Sequence, residues 1–137
     1  KTIYNNDQLY APIIEQKPDV VIFDALLIND NGVDSTRDTS HIPVLIGEEI
    51  LNQLSDVSFM IMPQNPVTFL EAINDRAEEV KTEAENSEFT YLDHRERWPS
   101  DDLESLLDEN GVYPNDKGYQ IWVDYLTDYF TGADMEE

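Results

Sequence analysis

The chain contains no cysteine among its 137 residues. This absence excludes disulfide bonds, cysteine-ligated zinc, iron–sulfur clusters and a cysteine nucleophile. Basic residues are also scarce: eight Lys and Arg stand against 30 Asp and Glu, and the formal net charge is −22. Because phosphate groups bind to basic surfaces, this balance argues against nucleic acid as a partner, and it argues against anionic membranes for the same reason.

Long apolar runs are missing as well. No stretch approaches the roughly 20 consecutive apolar residues that a membrane-spanning helix needs, and no signal peptide is recognisable. The sequence begins at Lys1 without a methionine, so we expect a mature product or an excised segment of a longer protein.

Hydrophobic residues still make up 40% of the chain, which is enough for a core. Length and composition predict one α/β domain, residues 1–130, followed by a disordered acidic tail, residues 131–137.

Strand-like and helix-like segments alternate along the chain. Apolar runs predict strands at 20–28, 57–62 and 89–92, the first two apolar enough to be buried. Helical spacing of apolar residues predicts helices over about 8–16, 42–54 and 116–130, and a long helix that starts at 65. The final helix is expected to bury Tyr119, Trp122, Val123, Leu126 and Phe130. Strands separated by helices imply right-handed crossovers and a parallel sheet.

We therefore predict a three-layer, flavodoxin-like α/β sandwich with a small parallel sheet. Three strands are few for this architecture, and one apolar edge strand would remain unpaired, which favours unwanted association. We expect that an N-terminal strand is missing from this sheet. Either a missing N-terminal segment or the partner copy in a homodimer would cover the open sheet edge.

Several segments resemble, in order, the sequence blocks of the SGNH/GDSL hydrolases, a family of esterases and acylhydrolases. They are Pro18-Asp19-Val20-Val21-Ile22 leading into Ile28-Asn29-Asp30, then Met60-Ile61-Met62-Pro63, then Tyr91-Leu92-Asp93-His94, and finally Asn110-Gly111-Val112-Tyr113-Pro114-Asn115-Asp116-Lys117-Gly118-Tyr119. The last resembles the family block Asp-Gly-x-His-Pro-Asn. The resemblance spans most of this chain but only the C-terminal part of the family domain, and the sequence holds no Gly-Asp-Ser nucleophile block.

The resemblance implies roles for specific residues. Asn29 matches the family Asn whose side-chain amide donates to the oxyanion; the alternative is a turn residue that ties down backbone. Asn110 and Tyr113 stand at the positions of the family Asp and His. An Asn carries no negative charge, and a Tyr with a pKa of about 10 is a poor base near neutrality, so turn and packing roles are favoured for both. His94, which follows the third predicted strand, is the alternative base.

By this resemblance the chain is the C-terminal portion of a GDSL/SGNH-like lipase, esterase or acylhydrolase, and a small ester or acylated molecule is its substrate. The nucleophilic Ser is not present in this chain, so we expect no activity in isolation. The alternative is a non-catalytic SGNH-like binding or interaction module with a degenerate Asp/His dyad. An unrelated flavodoxin-like or receiver-like protein ranks last, because the acidic cluster and late Lys of a receiver are missing.

No metal or cofactor is expected. The oxygen-rich stretches at 30–34 and 108–111 lack the spacing of an EF-hand calcium loop, and no other ligand pattern is present. The loop sequences are similar to those of SGNH proteins from Gram-positive bacteria. That similarity implies an extracellular or cell-surface location.

Overall fold

The computed structural model describes residues 7–25, 39–69 and 71–132. Within these residues helices and strands alternate as the sequence predicts. In chain order they are α1 (Asp7–Gln16), β1 (Val20–Ala25), α2 (Ile42–Gln53), β2 (Ser58–Pro63), α3 (Ala72–Glu85), β3 (Thr90–Tyr91) and α4 (Asp116–Thr131), with 3₁₀ turns at His94–Arg97 and Leu103–Leu106. Residues 133–137, most of the predicted tail, lie outside the described part of the chain.

The strands of the described residues form one parallel sheet in the order β1-β2-β3. Val20 in β1 is aligned with Ser58 in β2, and Met60 in β2 is aligned with Thr90 in β3. Parallel neighbours require crossover connections, and α3 supplies the one between β2 and β3. The predicted α/β sandwich with a small parallel sheet is confirmed.

The core lies on one face of this sheet. Phe59 and Ile61 of β2 are 3% and 0% exposed, and α2 and α3 contact both β2 and each other. Ile50 of α2 and Val80 of α3 are each 1% exposed. Burying side chains of this size is worth about 1.5–3 kcal/mol each, so this layer supplies most of the stability of the domain.

Strand β1 is less buried than the sequence predicts. Side chains alternate across a strand, so Val20 and Ile22 lie on the face opposite the core and are 44% and 40% exposed. Phe23, on the core face, stacks against Phe59. The expectation of a fully buried first strand is therefore wrong, because among the described residues no element fully covers this face of β1, the strand at the edge of the sheet. What covers that edge stays a prediction.

Helix α3 begins later than predicted, at Ala72 rather than at 65. The Asn74 side chain donates to the Val67 carbonyl at 3.0 Å and accepts from its N–H at 3.1 Å. These two bonds hold the preceding segment in a loop by satisfying backbone groups that a helix would otherwise pair. Phe69 lies in this loop, outside the helix, and is 51% exposed.

Helix α4 does not bury the face that the sequence predicts. Tyr119, Val123 and Phe130 are 48%, 53% and 52% exposed, and Gly118 is the buried residue of the helix. The reason is that α4 packs against the two 3₁₀ turns that follow β3. Contact with these short turns covers a narrower strip of the helix than a sheet would cover.

Candidate functional site

His94, Asn110 and Tyr113 lie on the loops near the carboxyl ends of β2 and β3, where open α/β sheets bind ligands. The loop after β2 and the loop at 108–113 are joined there. The backbone N–H groups of Thr68 and Phe69 both donate to the Gly111 carbonyl, at 2.9 and 3.3 Å. Asn65, which is 1% exposed, donates from Nδ2 to the Val112 carbonyl at 2.9 Å. These bonds fix the two loops relative to each other.

The 108–113 loop is also closed internally. Asp108 Oδ1 accepts from the backbone N–H groups of Val112 and Tyr113, at 3.1 and 3.2 Å. These bonds stabilise the ionised carboxylate and lower the pKa of Asp108. Gly111 has φ of +70°, a left-handed conformation that favours glycine. The loop that carries Asn110 is therefore held in one shape by its own sequence.

Arg95 anchors the loop after β2 from the other side. Its Nη1 donates to the Gln64 carbonyl at 2.8 Å, and its Nη2 donates to Asn74 Oδ1 at 3.3 Å. Asn74 in turn holds Val67, as described above. The guanidinium thus links the 3₁₀ turn after β3 to the loop after β2, so both strand ends belong to one hydrogen-bonded unit.

His94 is completely buried and uses both ring nitrogens within the protein. Trp98 Nε1 donates to His94 Nδ1 at 3.0 Å, and His94 Nε2 lies 2.8 Å from the Pro63 carbonyl oxygen. Because the indole N–H can only donate, Nδ1 must be the unprotonated nitrogen and Nε2–H donates to Pro63. Burial lowers the pKa of His94 to about 4, so the ring is neutral at pH 7.

Aromatic rings enclose His94 on the α4 side. Its ring centroid lies 4.8 Å from that of Trp122 and 6.3 Å from that of Tyr125. Arg97, in the same 3₁₀ turn, lies over the Tyr125 ring at 5.2 Å and contacts Asp128 Oδ2 at 2.6 Å. For His94 to act as the alternative base, the Trp98 hydrogen bond would have to open and the ring would have to reach solvent. In the described geometry the imidazole instead joins α4 to the end of β2.

The structure brings together the loops of His94 and Tyr113 but gives the residues different surroundings. Tyr113 is 43% exposed, and Asn110 is exposed in the turn beside Gly111. The ring nitrogens of His94 bond to Pro63 and Trp98, and to neither of these two residues. Asn29, the predicted oxyanion donor, lies outside the described residues. The roles given to Asn29 as an oxyanion donor or turn residue, to His94 as the alternative base, and to Asn110 and Tyr113 in the turn and in packing stay predictions.

A pocket of about 450 Å³ opens beside Asn110, between the two joined loops. Its lining includes Thr68, Phe69, Glu104, Asp108, Glu109 and Asn110. None of the described lining residues is basic, and the Phe69 ring supplies apolar surface. This size is within the range of small-molecule sites. The arrangement suits an uncharged ligand with hydroxyl groups better than an anionic one.

In the described parts of the chain, no group of three or more His, Asp or Glu side chains is placed to hold a metal ion. No helix within the same ranges has the length and apolar character needed to cross a bilayer.

Asp24 is an acidic residue that the sequence reading did not assign to the site, although it lies at the carboxyl end of β1. Its Oδ1 is buried and has no hydrogen-bond partner among the described residues, and burial raises the pKa of Asp24 to about 6. Strand alternation places it on the same face as Val20 and Ile22. It is therefore a half-buried carboxyl group at the edge of the site whose ionised form is disfavoured.

We expect Asp24→Asn to stabilise the protein at pH 7.5 by about 1–2 kcal/mol. This is less than the full pKa shift of Asp24 implies, because the carboxyl group keeps some contact with water. A folded-state pKa above the unfolded value means that stability is lost as pH rises from about 4 through 6. The gain should therefore shrink towards zero at pH 4. Urea denaturation at both pH values checks this, with exposed Asp19→Asn as control. If Asp24→Asn and Asp19→Asn raised the free energy of unfolding equally, burial would not be the cause of the raised pKa of Asp24.

Other important residues were missed because their partners are distant in sequence. Asn65, Asn74 and Arg95 hold the loop after β2, whereas the sequence predicts that a helix starts at Asn65. Asn115 was recognised within the family block; its Oδ1 accepts from the N–H groups of Lys117 and Gly118. Its Nδ2 donates to the carbonyls of Ser105 and Leu107. An Asn just before an amphipathic run is the available signal for the helix cap.

Comparison with known proteins bears on the fold. No family model matches the sequence, and no curated protein matches it. A solved structure, the Clostridium thermocellum family 3 carbohydrate esterase, is similar with a TM-score of 0.59 and 18% sequence identity. The match covers 93% of this chain and 67% of that chain. This likeness supports the SGNH-hydrolase-like fold expected from the sequence blocks.

Proposed function

We propose that this chain is the C-terminal portion of an SGNH-type ester hydrolase and that its joined loops hold the ester substrate. The observation that carries the proposal is the pocket beside Asn110. It lies between two loops fixed to each other at the carboxyl ends of parallel strands, in an SGNH-like fold. The bonds from Thr68, Phe69 and Asn65 to the 108–113 loop give this pocket a defined shape without any ligand.

Catalysis needs more than these loops supply. Ester hydrolysis requires an activated nucleophile, a base and donors for the oxyanion. The sequence has no nucleophile block, and the nitrogens of His94 are engaged by Trp98 and Pro63. Asn29 follows β1 in the sequence, at a place suited to an oxyanion donor. We therefore expect substrate binding without turnover from this chain alone.

We propose an acylated carbohydrate as the substrate class. The pocket offers carboxylate and amide groups that can bind hydroxyl groups, and the exposed Phe69 ring can pack against the apolar face of a sugar. Its lack of described basic lining residues disfavours anionic acyl donors. The similar solved protein is named a carbohydrate esterase, which agrees with this choice.

A non-catalytic binding module is the second candidate. The engagement of both His94 nitrogens favours it, together with Asn110 and Tyr113 at the positions of the family Asp and His. In this case the pocket would bind an acylated carbohydrate without hydrolysing it in any context. The two candidates differ in whether a longer parent protein, if one exists, turns over ester.

The test combines binding and turnover. We expect an acetylated xyloside to shift the backbone amide NMR signals of Thr68, Phe69 and Gly111, and not that of Val57 at the other end of the sheet. Phe69→Ala should weaken this binding at least fivefold. p-Nitrophenyl acetate and the xyloside should be hydrolysed no faster than in buffer.

The outcomes separate the candidates. Absence of shifts at the three loop amides would overturn the proposed substrate site. Binding without turnover by both this chain and a longer parent would identify the binding module. Turnover by this chain that His94→Gln abolishes would establish His94 as the base and show that the imidazole leaves its described position during catalysis.

A further inference from the structure

Helix α4 carries a stripe of apolar side chains that the described protein leaves open. The stripe consists of Tyr119, Val123, Leu126 and Phe130, hereafter the α4 stripe. Tyr119, Val123 and Phe130 are each about half exposed, and Leu126 is partly buried. At 1.5 Å per residue the stripe is about 16 Å long. Single exposed apolar residues are common, but an aligned set of this length marks an interaction surface.

The spacing of the α4 stripe is that of a helix–helix seam. Its members follow one another at intervals of four, three and four residues, which is the a/d pattern of two helices packed side by side. The inner face of α4 is already occupied, since Trp122 and Tyr125 pack on His94. The stripe is thus a second face of the same helix, and its spacing is that of a helix–helix contact.

Charge identifies the helix that would fit. Asp116 and Asp124, both exposed, lie on the solvent side of the stripe, and the whole chain carries a net charge of −22. A second copy of this chain would bring the same negative charge to the seam. A helix with Lys or Arg beside its apolar residues would instead be attracted, both at the seam and over longer distances.

We propose that the α4 stripe docks a basic amphipathic helix from another polypeptide, packed along α4 with its apolar residues on Tyr119, Val123 and Phe130. The basic residues of the partner lie near Asp116 and Asp124. This surface is separate from the pocket beside Asn110, and the proposal does not depend on ester binding or hydrolysis.

A pair of synthetic peptides tests the proposal. The first has three heptads with Leu at a and d, Lys at e and g, and Ala elsewhere; the second replaces each Lys with Glu. We expect saturable binding of the Lys peptide to the full chain at 150 mM salt, measured by fluorescence anisotropy. The Glu peptide should bind at least tenfold more weakly.

Val123→Asp separates docking from general charge attraction. The variant makes the protein more negative, so charge attraction alone predicts equal or tighter binding of the Lys peptide. Docking on the stripe predicts binding at least tenfold weaker. Asn52→Asp, an exposed change on α2 with the same added charge, should stay within twofold of the unaltered protein. Tyr119→Gln provides a second, uncharged test if Val123→Asp fails to fold by circular dichroism.

Two results would overturn the proposal. If Val123→Asp and Asn52→Asp bind the Lys peptide equally, the attraction does not involve the stripe. If sedimentation shows a dimer of the unaltered chain that Val123→Asp dissociates, the occupant of the stripe is a second copy and not a basic helix.

Discussion

His94→Phe is expected to lower the free energy of unfolding at pH 7 by about 2–5 kcal/mol, a large part of the stability of a domain of this size. Phenylalanine keeps a ring in the buried space but cannot hydrogen-bond. Trp98 Nε1 then loses its acceptor and the Pro63 carbonyl loses its donor. Each buried group left unpaired costs about 1–3 kcal/mol.

The same residue makes stability depend on pH with a defined sign. The pKa of His94 is lowered by burial to about 4 in the folded protein, below the 6.5 of an unperturbed His. Between these values the unfolded chain binds a proton that the folded protein does not. Stability is therefore complete above pH 6.5 and is lost as pH falls towards 4, by roughly 3 kcal/mol in all.

The two effects combine into one measurement. His94→Phe lacks this titration, so the stability difference between variant and unaltered protein should be largest at pH 7 and smaller by roughly 3 kcal/mol at pH 4. Urea denaturation at both pH values measures it. His41→Gln, at an exposed position before α2, should change stability by less than about 0.5 kcal/mol. A His94→Phe difference that is constant with pH would show that the imidazole does not titrate as described.

The alternation of elements could be predicted because it rests on local signals. The apolar runs at 20–28 and 57–62 are features of neighbouring residues, and the strands Val20–Ala25 and Ser58–Pro63 lie close to the predicted places. The exposure of Val20 and Ile22 on one face of β1 could not be predicted, since it depends on which other elements pack against that face of the sheet. The exposure of Val123 and Phe130 likewise follows from α4 packing on short 3₁₀ turns, which the helical period alone does not reveal.

The sequence predicts where in the fold the candidate site lies, but not which residues contact one another there. The family-like block directed attention to Asn110 and Tyr113, and their loop does lie at the carboxyl end of the sheet. The use of both His94 nitrogens depends on Pro63, 31 residues away, and the joining of the loops depends on Asn65 and Val112, 47 residues apart. Sequence adjacency, as between Asp93 and His94, says little about such partners.

Gly118→Ala is expected to destabilise the protein by about 2–3 kcal/mol, although glycine within a helix is usually less stable than alanine by about 1 kcal/mol. The reversal of sign comes from close packing at the start of α4. A Cβ at this position would meet the Leu106 carbonyl oxygen, and it would lie 2.9 Å from Pro114 Cβ and 3.0 Å from Trp98 Cη2. Backbone oxygen cannot move aside as a flexible side chain can.

The clash should also disturb the buried His94 imidazole. The added Cβ would push on the Trp98 ring, and Trp98 Nε1 is the hydrogen-bond donor to His94. Thr127→Ala, an exposed change on the same helix, is the control and should leave stability within about 0.5 kcal/mol. Thermal or urea unfolding compares the two variants, and tryptophan fluorescence reports the surroundings of Trp98 and Trp122, both of which pack against His94. A Gly118→Ala protein more stable than the unaltered chain would mean that α4 is not seated against Leu106 and Trp98, and the described link from this helix to the end of β2 would then be wrong.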